Sequence, residues 1–133
     1  MMTAITNEMT TAIENLFERI TDNYSKYLLH NKSYKNVYSA NPKYLKNSDE
    51  TVEKKAKDRF ISGQRYTVGK NYIKIIINHS VWGFIVNSEN DTKFRYGTVL
   101  KANSWKSPAR NFSRGSIFPN SPQGQVNCNW TGV

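Results

Sequence analysis

At 133 residues, with a hydrophobic fraction of 38% and a formal net charge of +9, the chain suits one domain with a single modest core. No apolar run reaches the ~18 residues of a membrane span, no secretion signal is read, and a lone Cys128 cannot form an internal disulfide. The charge favours a polyanionic partner, which means nucleic acid, an anionic membrane surface or an acidic protein.

Residues 6–29 predict an amphipathic helix. Met9, Ile13, Leu16, Phe17, Ile20, Tyr24, Tyr27 and Leu28 recur at steps of three and four. Thr6 or Asn7 suits its start, and Glu8 suits the positive end of the dipole. Residues 30–46 read as a basic connector with three tyrosines and a break at Asn41-Pro42. Its interleaved Lys and Tyr fit either a single-stranded nucleic-acid surface or a segment whose rings cover the core edge. Residues 48–62 predict a second helix, capped by Asn47 or Ser48 and stopped at Gly63. Val52, Ala56, Arg59 and Phe60 form its narrow stripe.

After Gly63 the period becomes extended. Strands are predicted at 64–68, 72–78, 81–87, 93–96 and 98–102, with turns at Gly69-Lys70-Asn71 and Asn78-His79-Ser80. The run Tyr72-Ile-Lys-Ile-Ile-Ile77 loses its alternation and reads as the central strand. Residues 107–115 have the grammar of a short basic helix: Ser107 at the cap, Pro108 in the first turn, Gly115 past the end. In that helix Arg110 and Arg114 would share a face and form a fork for phosphate or carboxylate. Trp105 would pack beneath it, and Ser116-Ile-Phe118 would pair as a last short strand. Residues 119–133 read as a tail that is ordered only when docked. The expected fold is α+β. Two N-terminal helices pack on a small antiparallel meander of four or five strands, with the basic helix near the C-terminus. A single domain would thus divide into a helical part (1–62), a β-rich part (63–118) and the tail (119–133).

The last 42 residues carry Lys93, Arg95, Lys101, Lys106, Arg110 and Arg114 and no acid, with Phe94, Tyr96, Trp105, Phe112 and Phe118 among them. Lys101, Trp105, Lys106, Arg110 and Arg114 are the candidate nucleic-acid or anion-binding residues. Lysines and arginines meet phosphates, and rings stack bases. Trp105 and Phe112 read equally as core residues. There is no Walker loop, dinucleotide fingerprint, nucleophile elbow or zinc-ligand spacing. The cationic cluster has no carboxylate of its own, so acid–base chemistry would have to borrow Glu89, Asp91 or a helix residue. No catalytic residue, metal or cofactor is therefore expected.

The block from Lys93 to Phe118 resembles the C-terminal block of small proteins encoded by tailed bacteriophages. Gly97, Leu100, Lys101, Trp105, Pro108, Ala109, Arg110, Arg114 and Gly115 carry the likeness, which covers about a fifth of the chain. That group has no assigned activity, so the resemblance implies no site residue. It implies only phage origin and expression in the cytoplasm of a bacterial host. The resulting expectation is a small basic accessory protein that contacts nucleic acid. Alternatives are a module that inhibits or redirects a host defence or transcription enzyme through an acidic surface, or a virion or assembly component. No membrane partner is expected.

Overall fold

A computed structural model of the chain describes residues 5–38 and 48–133. Helix α1 spans Asn7–Tyr38 and α2 spans Ser48–Ser62. Four strands follow: β1 (Gln64–Val68), β2 (Tyr72–Ile77), β3 (Ser80–Val86) and β4 (Val99–Leu100). They form one antiparallel sheet in the order β1-β2-β3-β4, so the fold is α+β.

The start of α1 follows its cap. Thr6 Oγ1 accepts from Met9 N at 3.1 Å, and Thr10 N donates to Thr6 O at 3.0 Å. Met9, Ala12, Ile13, Leu16 and Ile20 are buried, which is the stripe the periodicity marks. The helix runs on past residue 29 to Tyr38. The first part of the supposed connector is thus helical, since neither Gly nor Pro interrupts it before Pro42. The Asn41-Pro42 break, the Asn47 cap and the rest of the connector lie outside the described residues. In α2, Gly63 N donates to Arg59 O at 3.1 Å and ends the helix where expected. The ring of Phe60 lies 4.2 Å from that of Tyr24, which joins α2 to α1.

The β2–β3 hairpin turns at Asn78 and His79, both with positive φ (51° and 68°). This is the twist-matching geometry of a two-residue hairpin loop. Across the pair, Ile75 faces Gly83 and Ile76 faces Val81, so Trp82 is the extra residue of a bulge in β3. Its indole Nε1 donates to Asn129 O at 2.7 Å. Ile73, Ile75, Ile77, Ile85 and Val99 join the α1 stripe and Phe60 in the main core. A smaller cluster of Val86, Phe94 and Leu100, with Tyr72 against it, lies on the opposite face. There Lys74, Phe84 and Leu100 align across three strands.

Two expectations are corrected here. Residues 93–96 form no strand. The Asp91 carboxylate accepts from Lys93 N and Phe94 N, both at 2.9 Å, and turns the chain. Residues 107–115 form no helix. Two of their backbone donors are taken by β4 and the residue after it: Ala109 N reaches Lys101 O at 2.7 Å and Arg114 N reaches Val99 O at 2.9 Å. Pro108 bridges Ala102, and Ser116 bridges Thr98. A helix this short has little stability of its own, and the sheet edge offers more backbone partners. Arg110 to Ser113 form an excursion between the two paired stretches.

The C-terminal segment is docked. Ser116 bridges Gln125 in parallel, and Val126 and Cys128 are buried. Arg19 Nη2 donates to Val126 O at 3.0 Å, and Trp130 N donates to Asn23 Oδ1 at 2.9 Å. The Trp130 ring sits 5.1 Å from Tyr24 and 4.8 Å from Tyr27. The tail thus ties α1 to the sheet.

Candidate nucleic-acid interface

Trp105 and Arg110 reach the sheet face away from the helices, through Lys74 and Tyr72, and Lys101 and Lys106 are exposed beyond β4. Lys101 leaves β4 exposed, and the chain then turns through Asn103 to Ser107. Asn103 N and Ser104 N both donate to Ser107 O at 3.0 Å, and Ser107 N donates to Ser104 Oγ at 3.2 Å. This serine-clamped turn presents Trp105 and Lys106 to solvent. Trp105 is 46% exposed, so it is a surface residue and does not pack under a helix. The Lys74 ammonium sits over its ring at 4.5 Å and over the Phe84 ring at 6.0 Å.

Arg110 points back over the sheet face. Its Nη1 and Nη2 donate to Asp91 Oδ2 and Oδ1, each at 2.9 Å, in a bidentate pair. Nη1 also donates to Tyr72 Oη, and the guanidinium lies 5.0 Å from the Phe94 ring centre. The Arg110 hydrogen bonds, helped by the backbone N–H groups of Phe94 and Lys93, hold the Asp91 carboxyl well below the usual carboxylate range. The Asp91 pairing in turn pushes Arg110 further up. Lys93 Nζ donates to the backbone carbonyls of Arg110 and Asn111, which fixes the excursion from its other side.

Arg114 is placed differently. Its guanidinium stacks 4.4 Å from the Phe112 ring centre, and its Nε is buried without a hydrogen-bond partner. Phe112 is 52% exposed. Arg110 and Arg114 therefore form no fork: one is neutralised by Asp91, and the other is held by an aromatic face. Beside Phe112 lies a groove of about 560 Å³ reaching Phe94, Arg95, Thr98 and Gln123. Gln123 donates to Thr98 Oγ1 at 2.9 Å and accepts from Ser113 Oγ at 2.6 Å, so the groove floor is hydrogen-bonded.

Sequence reasoning missed Lys74, Tyr72 and the role of Asp91. Lys74 had a signal, since one Lys inside a run of isoleucines must face away from the core. Asp91 had none beyond its place in a polar loop. Cys128 is buried, and burial, only partly offset by Arg19, pushes its thiol up, which disfavours the nucleophilic thiolate. His79 is exposed at its turn. Among the described residues no group of three His, Cys, Asp or Glu side chains could hold a metal ion, and no helix is long and apolar enough to cross a membrane.

The molecule thus has an α+β fold with exposed cations and half-open rings on the loops that follow β4. Residues 1–133 match a family model described as a family of unknown function, DUF7717, and the chain belongs to that family. No curated protein and no solved structure matches it.

Proposed function

We propose that this protein binds nucleic acid, with phosphates met by Lys101, Lys106, Arg114 and Lys74 and with Trp105 beside them. The setting suggested by the resemblance of its C-terminal block is a bacterial cell infected by a phage. The observation that carries the reading is the charge balance of this surface. From Thr92 to Val133 there is no acidic side chain, and the nearest in sequence, Asp91, is consumed by Arg110. The remaining cations are left for an external anion. Arg110 serves here as the clasp that holds the excursion in place. Its guanidinium is too engaged to be a primary phosphate contact.

The test is fluorescence anisotropy with labelled single-stranded DNA, duplex DNA and RNA, from ~50 to 300 mM salt. Affinity is expected to fall log-linearly with salt. The Lys101→Ala/Lys106→Ala double variant should bind more weakly, with the slope reduced by about 1.5 to 2. If none of the three nucleic acids binds at low salt, the proposal is wrong, and a nuclease-resistant host protein partner becomes the reading to pursue.

A further inference from the structure

The geometry points to single-stranded nucleic acid, bound with its bases stacked on Trp105 and Phe112, as the ligand of this surface. This rests on the nucleic-acid reading above and narrows it. Both rings are about half exposed, at 46% and 52%. Each carries a cation over one face: Lys74 at 4.5 Å from Trp105 and Arg114 at 4.4 Å from Phe112. A ring with one face occupied and half its surface open has its second face for a flat partner. The cation behind it stays close to the phosphate that accompanies a stacked base.

The surroundings favour the single strand over the duplex. In a duplex the base faces are covered by one another, so two exposed rings carried on a turn and a loop would gain nothing from it. A single strand exposes both its base faces and its phosphates, and this protein offers both kinds of partner: exposed rings at Trp105 and Phe112, and cations at Lys74, Lys101, Lys106 and Arg114. The rings are also pre-positioned. The Ser104–Ser107 clamp fixes the turn that carries Trp105. The Asp91–Arg110 pair and the Lys93 contacts fix the excursion that carries Phe112. Among the described residues that pair is the one ion pair, so these platforms are held without neutralising Lys74 or Arg114.

The experiment compares a labelled oligothymidylate of about 12 nucleotides with a blunt duplex of the same length, titrated against wild type, Trp105→Ala, Phe112→Ala and Lys101→Ala/Lys106→Ala across the same salt range. The single strand should bind more tightly than the duplex. Each ring variant should weaken single-strand binding about 5- to 100-fold with an unchanged salt slope, because a ring releases no counterions. The lysine variant should lower both affinity and slope. Trp105→Phe, which keeps a flat face, should recover most of the loss. Because both rings are exposed, thermal melts of the variants should match wild type and exclude misfolding. Equal or tighter duplex binding, or ring variants that bind like wild type while the lysine variant weakens, would overturn the single-strand inference and leave nucleic-acid binding standing. Absence of binding to both DNA ligands and to the RNA probe would remove both.

Discussion

Asp91 and Arg110 lie far enough apart in sequence that neither advertises the other, yet together they organise the surface. The Asp91 side chain is 12% exposed and that of Arg110 is 37% exposed, so solvent screens the pair only in part. Asp91→Ala removes the bidentate pair and the acceptor of the Lys93 and Phe94 backbone N–H groups, and it should cost about 1–2 kcal/mol in urea unfolding. Asp91→Asn keeps an oxygen for Lys93 N and Phe94 N and should cost less. The pH dependence has a definite sign. A depressed folded-state carboxyl contributes stability that is fully present above its unfolded value of about 3.9. That contribution is lost as pH falls through the lower folded value. Wild type and Asp91→Ala should therefore converge in stability under strong acid, measured by denaturant midpoints at stepped pH.

The elements depend on a few close backbone approaches. Gly97 has φ +87°, and a Cβ there would lie 2.4 Å from Phe118 Cε2. Gly97→Ala combines left-handed strain with a clash against a ring, and it should cost at least ~2 kcal/mol. Gly115 (φ +113°) would place a Cβ 3.0 Å from the Val126 backbone, at the point where the tail joins the sheet. Gly115→Ala should therefore loosen the tail specifically, seen as faster amide exchange at Val126 to Trp130 than at β2. The tail is itself an element of the core. Trp130→Ala removes the ring between Tyr24 and Tyr27 and should lower stability by about 2–3 kcal/mol, a half-buried share of a full aromatic deletion. A melt showing no shift would mean the tail is not docked in solution.

At the scale of the whole molecule the formal charge of +9 acts on both folding and association. Self-repulsion opposes the compact state, and salt relieves it. The melting temperature should rise as NaCl increases from ~10 to ~150 mM, where the screening length shrinks from ~30 to ~8 Å. Nucleic-acid affinity should fall over the same range. Opposite responses of stability and binding to one variable would separate a field effect from a loss of structure.

How much was legible in the sequence follows from the distance over which each signal acts. The buried stripe of α1, the bounds of α2 at Ser48–Ser62, the Asn78-His79 turn and the central place of β2 are local patterns of period, capping and turn chemistry. The sequence by itself determined these, along with the concentration of cations and rings after Thr92. The tertiary structure alone decided the rest. Pro108 and Gly115 satisfy the grammar of a short helix. The carbonyls of Val99 and Lys101 offer bonds across the sheet edge, and those bonds hold the two ends of the segment against it. Arg110 reads as half of an anion fork until Asp91, brought alongside by the turn it makes, takes its charge. The reason is the same in both cases: a backbone bond or an ion pair forms only with a partner about 3 Å away, and the partner's identity is set by the fold and not by sequence neighbours.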